Sequence, residues 1–451
     1  MNLEIEGTKT VVAGMARSGL AAVELLVEHG ALVCATDLRP LDQLPEAAAR
    51  LSQLGIEFRI QSPEAFQGAD LIVISPGVPC DLEALDDARR RGVKVIGEVE
   101  LAGYFLQGDI IGITGSNGKT TTTALTGHIL RESGIPVQVG GNIGTPPTSM
   151  VRSSRPGQWN VLELSSFQLE AIDTFRARIG VAINVTPDHL DRHHSFANYA
   201  KAKGRLFETQ QPSDFAVLNA GDAACIEYAG ITRGTTIWFS TAREVSPGAS
   251  LVDGKLVFDG CPFLDVREIP LRGLHNVENT LAAAAAARLA GAGLSAIAAA
   301  VRTFPGVEHR LEYVRSVSGV DFYNDSKATN VDATRKALDA FSGRLWVILG
   351  GKDKGSDYTT LRAPLIEKAR AVLLIGAAAS KIASHLANSV ELIQSGTLEA
   401  AIYAAYERAA PGDTVLLAPA CASFDQFNSF EHRGKVFKQI AGTLEPKGSR
   451  E

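Results

Sequence analysis

Gly112-Ile-Thr-Gly115-Ser116-Asn117-Gly118-Lys119-Thr120-Thr121 follows the apolar run Asp109–Thr114 and opens a helical stretch. Strand, glycine-rich turn and helix in that order make a phosphate cradle. The glycines let backbone N–H groups turn toward phosphate oxygens, and the helix N-terminus adds positive potential. Lys119 stands where it can reach β- and γ-phosphates, and the Thr120 hydroxyl where it can ligate Mg2+. The spacing departs from G-x4-G-K-[ST], because residue 113 is Ile where that pattern has its first Gly. An ordinary Gly-rich turn is the rival reading, and the complete run of strand, turn, Gly-Lys-Thr and helix outweighs it. ATP is the expected ligand, held by Gly115, Ser116, Asn117, Gly118, Lys119, Thr120 and Thr121.

Upstream, short apolar runs alternate with helical stretches. Lys9–Ala13 reads as a strand, residues 14–19 as a tight turn and residues 20–29 as a helix closed by Gly30, with further strands at 32–35 and 71–75. Strands separated by helices argue for βαβ units and a parallel sheet. The turn Gly14-Met-Ala16-Arg-Ser18-Gly19, with Asp37 ending the next strand, invites a dinucleotide reading in which the acid meets a ribose. Ala16 stands where that fingerprint needs its middle glycine. The expectation is a Rossmann-like fold without NAD, its crevice suited to another nucleotide such as a uridine sugar.

Downstream, residues 159–164 and 179–185 read as strands, and both end in candidate chemistry. Glu163 precedes Ser165 and Ser166 at a strand end, where ligands gather in an open α/β sheet. An acid there can hold Mg2+, directly or through water; a solvated glutamate is the bland alternative. The second strand ends in Asn184-Val-Thr-Pro-Asp188-His189-Leu-Asp191-Arg192-His193-His194, oxygen and imidazole donors that suit Mg2+ or Mn2+. For Asp188 and His189 the metal or phosphate site and the polar loop stand level; for His193 and His194 the polar loop is preferred. Residues 235–270 break into short β-like pieces, residues 271–301 form an Ala-rich helical stretch, and a third α/β series begins near Phe304-Pro-Gly306, with strands at 345–349, 371–375 and Thr414–Leu417. Three segments of that series lie beyond strand ends: Asn324-Asp-Ser-Lys327-Ala-Thr329-Asn330, Gly350-Gly-Lys352-Asp-Lys354-Gly355 and Pro419-Ala-Cys421-Ala-Ser423-Phe-Asp-Gln-Phe427. They are expected to share one crevice suited to an anion such as a carboxylate. Cys421 has no histidine nearby in sequence and reads as a buried structural thiol.

With 451 residues, the chain has the length of about three domains. Its 45% apolar and 21% charged residues exclude disorder for the bulk of it. Forty-four Lys+Arg against fifty Asp+Glu leave a net charge of −6 and no basic stripe, which argues against nucleic acid. Five scattered cysteines without a C-x-x-C pair suit free thiols in a reducing compartment. The start, Met-Asn-Leu-Glu-Ile-Glu, is acidic where a signal peptide is basic, and the most apolar stretch is broken by Arg288 and several Gly. The reading is a cytoplasmic protein with no membrane partner.

Taken together, these segments resemble the Mur ligase superfamily, the ATP-dependent amide-forming enzymes of peptidoglycan precursor synthesis. Thr114-Gly-Ser-Asn-Gly-Lys-Thr120, Gly140-Gly-Asn142-Ile-Gly144, Glu163-Leu-Ser-Ser-Phe-Gln-Leu-Glu170 and Asn184-Val-Thr-Pro-Asp-His-Leu-Asp191 are similar to its central ATPase domain. Leu274-His-Asn276-Val-Glu-Asn279, His309-Arg310 and the segments at 324–330 and 419–427 extend the likeness nearly end to end. The resemblance implies three consecutive α/β domains: residues 1–97, Rossmann-like, for a uridine nucleotide sugar; 98–303, P-loop ATPase-like; and 304–451, Rossmann-like, for an amino acid. It points to the member that joins D-glutamate to UDP-N-acetylmuramoyl-L-alanine through an acyl phosphate, acting as a monomer with ATP and Mg2+ or Mn2+. By the same resemblance Lys119, Glu163, His189 and Lys203 are catalytic, and Thr120, Glu163, His189 and Lys203 (as a carbamate) hold the metal. Asn276 and Arg310 serve the adenine and ribose side. Gly14, Ser18, Gly19, Asp37, Ser75, Asn142 and Ser165 serve the nucleotide sugar. Lys327, Thr329, Lys354, Ser423 and Phe430 serve D-glutamate, with Lys352 an alternative to Lys354. From the residues alone, Lys203 is an unremarkable helix lysine.

Rival readings are an amide ligase of the same superfamily adding another amino acid or γ-linked glutamate to folate, a nucleotide-dependent switch without ligation, and a nicotinamide oxidoreductase. The absence of an Asp-Asn-Pro-Arg element disfavours the diamino-acid branch, and Ala16 disfavours the last.

Overall fold

A computed structural model describes residues 3–447; the first two residues of the acidic start and the last four of the chain lie outside the described residues. Three sheets follow one another along the chain. The first is built from β1 (Lys9–Ala13), β2 (Leu32–Asp37), β3 (Glu57–Ile60), β4 (Leu71–Ile74) and β5 (Lys94–Gly97), all parallel, in the order β3-β2-β1-β4-β5. Val11 and Val12 are both buried, as are all four residues of β4. A parallel strand covered on both faces reads as an unbroken apolar run. The order reverses between β1 and β4, so their C-terminal ends open a crevice there.

The second sheet takes β6 (Asp109–Thr114), β7 (Val137–Gly141), β8 (Trp159–Glu163), β9 (Ile179–Ala182), β10 (Phe215–Asn219), β11 (Thr235–Ser240), β12 (Gly248–Val252), β13 (Lys255–Phe258) and β14 (Cys261–Asp265). Their order is β14-β13-β12-β11-β10-β9-β6-β8-β7, with every pairing parallel except β12–β13 and β13–β14. β6 lies between β8 and β9. The segments that leave those three strands, each marked in the sequence, therefore emerge side by side. The third sheet joins β15 (Glu312–Val317), β16 (Val320–Asn324), β17 (Leu345–Gly350), β18 (Ala369–Ile375), β19 (Leu392–Gly396) and β20 (Thr414–Leu417) in the order β15-β16-β20-β17-β18-β19. β16, β20 and β17 are neighbours, so the three segments expected to share a crevice do leave adjacent strands.

The chain forms two compact units. The first runs up to Glu268 and returns for Glu278–Phe304; the second takes Ile269–Val277 and everything from Pro305 on. The long helical stretch expected at 271–301 is two helices, Leu274–Leu289 and Leu294–Thr303. Gly291, at φ 107°, turns the chain between them, a conformation open to glycine alone among common residues. Among the described residues no helix is long and apolar enough to cross a membrane.

Candidate active site

The phosphate loop is held from below by the end of β9. Asn184 accepts from the Asn117 N–H at 2.9 Å and donates to Asn117 O at 3.1 Å, while Ser116 Oγ donates to Thr186 O and accepts from Thr186 N, each at 2.9 Å. A Cβ on Gly118 would stand 2.2 Å from Asn279 Oδ1, and its φ is 86°. Only glycine fits there. Lys119 Nζ donates to Gly115 O at 2.7 Å and to Ser116 O at 3.1 Å, so the ammonium lies over the loop.

Lys203 comes to the same place. It is 1% exposed, its Nζ donates to Gly115 O at 2.8 Å, and it sits 4.6 Å from the centre of the Tyr199 ring. Burial first, and Lys119 second, push its pKa well below the usual 10.5. The unremarkable helix lysine is therefore a buried amine beside the phosphate loop. Its row explains the burial: Tyr199, Lys203, Leu206 and Phe207 recur at helical spacing along the inner face of Phe196–Glu208.

Glu163, at 2% exposure, is not the solvated strand-end residue of the bland reading. Its Oε1 accepts from Asn142 Nδ2 at 2.9 Å, and its backbone carbonyl from the Asn142 N–H at 2.8 Å. Its Oε2 is buried with no hydrogen-bond partner. A buried carboxylate oxygen left unpaired is costly, and a cation satisfies it. Ser165 caps the helix Ser166–Glu170 in a reciprocal box with Gln168. His189, exposed and at φ 52°, meets the edge of Phe167 at 4.9 Å between ring centres. Among the described residues no group of three His, Cys, Asp or Glu gathers to hold a metal. The expected set supplies only two such side chains, Glu163 and His189, with Thr120 and Lys203 completing it. Glu163 Oε2 is the feature that fits a cation.

His193 departs from the polar-loop reading. It is buried, takes a contact from Ser166 Oγ at 2.9 Å on Nε2 and meets Glu170 Oε1 at 3.0 Å through Nδ1. Burial, then the cations around it, lower its pKa to about 4. His194 is exposed, as expected of a loop residue.

Beyond β1 and β4, a crevice of about 440 Å³ is lined by Gly14, Ser18, Asp37, Ser75 and Asn142, among others. Gly19 shapes the turn beneath it, since a Cβ there would stand 1.8 Å from Gly14 O. Ser75 Oγ donates to the same carbonyl at 2.6 Å. Asp37 accepts from the Met15 N–H at 2.7 Å and the Arg39 N–H at 3.0 Å. Burial alone would raise its pKa; those bonds outweigh it and hold the carboxyl below its usual value. Asn142 serves both places: it lines this crevice and orients Glu163.

In the second unit the three strand-end segments meet. Ala420 N donates to Ala328 O at 2.9 Å, and Lys352 pairs with Ala422. Arg433, 0% exposed, binds them together through Ser326 Oγ, Ser326 O and Cys421 O. Lys327 Nζ lies 5.5 Å from the Phe430 ring centre, and Ser423 is buried. Lys352 and Lys354 are both exposed, while Asp353 between them is tied to Tyr358 and Lys381 at 2.7 Å each. Cys421 is the buried thiol expected, its Sγ 3.0 Å from Tyr358 Oη and its pKa raised by burial to about 11. In the same unit Asn276 is buried and donates to Arg272 O at 2.7 Å.

Sequence reading missed two residues of this cluster. Arg433 carried a signal, its spacing of four from Phe437 and eight from Ala441 on the buried row of Phe430–Thr443. Asp325 lay inside the marked segment 324–330 and was given no role of its own there; it is buried, its pKa is raised by burial to about 6, with Arg310 opposing, and its Oδ1 has no partner.

The chain matches three family descriptions in order: Mur ligase MurD-like, N-terminal domain, over residues 8–97; Mur ligase middle domain, over 113–287; and Mur ligase, glutamate ligase domain, over 309–421. It is 64% identical over 445 residues, 99% of this chain and 100% of the relative, to a UDP-N-acetylmuramoylalanine–D-glutamate ligase of Solibacter usitatus. Ligases of the same description from Acidobacterium capsulatum and Thermoanaerobacter pseudethanolicus are 50% identical (97% of each chain) and 41% identical (98% of this chain, 100% of that one). Among solved structures, a UDP-N-acetylmuramate–alanine ligase of Thermotoga maritima shares the fold at TM-score 0.61 and 19% identity, covering 96% of this chain and 99% of that one. A pseudomurein peptide ligase type C of Methanothermus fervidus does so at TM-score 0.60 and 22% identity, covering 97% and 99%.

Proposed function

Because the chain belongs to the Mur ligases, in their UDP-N-acetylmuramoylalanine–D-glutamate ligase branch, we propose that it joins D-glutamate to UDP-N-acetylmuramoyl-L-alanine at the expense of ATP. It is an ATP-dependent amide-forming ligase of peptidoglycan synthesis. Residues 1–97 take the nucleotide sugar, 98–303 take ATP, and 304–451 bring the amino acid. Its nucleotide substrates assign it to the cytoplasm, and it acts as a monomer on small molecules.

The L-alanyl carboxylate is a poor electrophile, so the γ-phosphoryl group of ATP first converts it to an acyl phosphate. The amine of D-glutamate then attacks, the tetrahedral oxyanion collapses and phosphate leaves. Lys119 swings from Gly115 O to the phosphates and neutralises charge that develops on the transferring group. Thr120, Glu163, His189 and Lys203 as its carbamate would hold Mg2+, which when bound would supply Lewis-acid charge to the phosphate oxygens. The depressed pKa of Lys203 favours the neutral amine, the form able to attack CO2. Asn142 holds Glu163 in place from the nucleotide-sugar side. In the second unit Lys354 or Lys352 meets a substrate carboxylate as a point charge, with Lys327, Thr329, Ser423 and Phe430 around it. Asn276 and Arg310 take the adenine and ribose.

One observation carries the reading: two lysine amines converge on Gly115 O, and one of them, Lys203, lies within electrostatic reach of Glu163, a buried glutamate with an unpaired oxygen. Phosphate release from ATP and Mg2+, measured with UDP-N-acetylmuramoyl-L-alanine and with or without D-glutamate, tests it. Release that needs both, with a product heavier by one glutamate residue, is expected. Release supported by another amino acid would keep the superfamily and overturn the branch.

A further inference from the structure

The helix Glu98–Phe105 lies in the connection from β5 to β6, and the cores of both sheets share it. Val99 packs among Leu162, Leu164 and Leu169 of the second sheet, while Leu101 packs among Val12, Leu26 and Val73 of the first. On either side of Val99, Glu98 and Glu100 are each 1% exposed. Neither acid lines the crevice beyond β1 and β4.

Their partners differ. Glu100 accepts from the N–H groups of Asp173, Thr174 and Phe175 at 2.8–2.9 Å and from Thr174 Oγ1 at 2.6 Å. Those bonds outweigh its burial and keep its pKa below the ordinary value. Glu98 uses one oxygen only: Oε1 accepts from Thr148 N at 2.8 Å and Thr148 Oγ1 at 2.6 Å, and Oε2 is buried without a partner. Burial raises its pKa to about 7 against those two bonds, so the protonated acid is well populated at neutral pH.

Thr148 belongs to the segment that carries Asn142. Gly141 N donates to Thr145 O at 2.9 Å, and a Cβ on Gly140 would stand 2.4 Å from Met150 Sδ and 2.5 Å from Thr145 O. Residues 140–150 are thus closed on themselves, leaving little slack between Thr148 and Asn142. Asn142 in turn lines the crevice of the first sheet and orients Glu163.

We propose that Glu98 is a positioning residue for the nucleotide-sugar substrate: by gripping Thr148 it fixes the 140–150 segment, and with it Asn142, against the crevice beyond β1 and β4. The proposal rests on that crevice taking the nucleotide sugar. Glu100 is the internal contrast, equally buried on the same helix but bonded to the 173–175 turn.

The test titrates wild type, E98Q, E98L, T148V and E100Q with UDP-N-acetylmuramoyl-L-alanine by calorimetry and measures KM for each substrate. E98L is expected to raise KM for the nucleotide sugar about tenfold while KM for ATP stays within about twofold. E98Q is expected to restore most of it, because an amide oxygen still accepts from Thr148. E98L and T148V together are expected to cost no more than E98L alone, as residues acting through one contact do. E100Q is expected to lower the melting temperature and leave both KM values in place. Unchanged nucleotide-sugar affinity in E98L, or a KM rise shared equally with ATP, would overturn the role of Glu98. Should E98L fail to fold by circular dichroism, E98A and T148V decide together: T148V removes only the hydroxyl bond to Glu98, so a KM rise for the nucleotide sugar alone is expected in E98A with a smaller one in T148V, and none in either overturns the proposal. Wild type that binds no nucleotide sugar would overturn the reading of the crevice itself.

Discussion

Glu163 presents one oxygen to Asn142 and keeps the other buried and unpaired, an arrangement that makes charge at this position hard to replace. E163Q keeps the size and an acceptor for Asn142 and removes only the charge. It is expected to lower kcat about 100-fold or more, with KM for the nucleotide sugar little changed, as steady-state kinetics would show. Arg433 is a contrasting case, a cation whose bonds run to Ser326 and to backbone oxygens and to no carboxylate. Burial lowers its pKa to about 10, so it stays charged at neutral pH. R433M leaves Cys421 O and Ser326 O short of donors and is expected to cost about 2–4 kcal/mol in urea unfolding. The histidines give a pH signature. His193 and His275 titrate near 4 and His309 is lowered too, each chiefly through burial, against an ordinary 6.5. Below pH 6.5 the unfolded chain binds protons that the folded chain refuses until about pH 4, so stability is lost as pH falls across that window. Glu98 and Asp325, raised by burial, work the other way over the same range, so the difference is the readout: as pH falls from 6.5 to 4.5 the urea midpoint of wild type should lose ground relative to H193Q, and equal slopes would remove His193 from the account. At this scale Glu163 and Lys119 were legible because their place after a strand or in a loop is local information. The burial of Lys203, His193 and Asp325 was not, because it depends on which element packs over them; Lys203 was named only through the family resemblance.

The same contrast holds for whole elements. Strands such as β6, β8 and β17 were legible because they are buried on both faces and mostly apolar. β3 was not: it is an edge strand, its sequence Glu57-Phe-Arg-Ile60 is mostly exposed, and nothing in it distinguishes strand from loop. β7 escaped because it ends in Gly140-Gly141, residues that ordinarily argue against a strand. There they are required, since a Cβ on Gly141 would stand 2.2 Å from Glu163 O. The phosphate loop obeys the same steric logic. G118A places a methyl group where Asn279 Oδ1 now sits, in a backbone conformation that alanine resists. It is expected to abolish ATP binding in a calorimetric titration while nucleotide-sugar binding persists, because the crevice beyond β1 and β4 does not share that glycine. Loss of both would mean that the loop supports the whole first unit.

For the whole molecule, three α/β domains were legible from three series of strands and turns, yet the chain packs as two units, because the first two sheets share the helix that connects them. Periodicity reports which face of an element is apolar and is silent on which neighbour covers it. The partition has a thermodynamic consequence. The crevice of the first sheet and the phosphate loop both lie in the first unit, and the segments at 324–330, 350–355 and 419–427 lie in the second. Each unit has a buried core of its own, so calorimetry is expected to resolve two transitions where a single domain would show one. A ligand that binds one folded unit stabilises that unit by RT ln(1 + [L]/Kd), about 2.7 kcal/mol at a hundredfold excess over Kd. UDP-N-acetylmuramoyl-L-alanine should therefore move one transition upward by several degrees and leave the other where it was. The transition that moves should also be the one that E98L shifts downward, since Glu98 and Thr148 belong to the first unit. If the nucleotide sugar instead moves a single transition as a whole, the two cores melt as one, and the coupling that joins them reaches further than either unit's own packing.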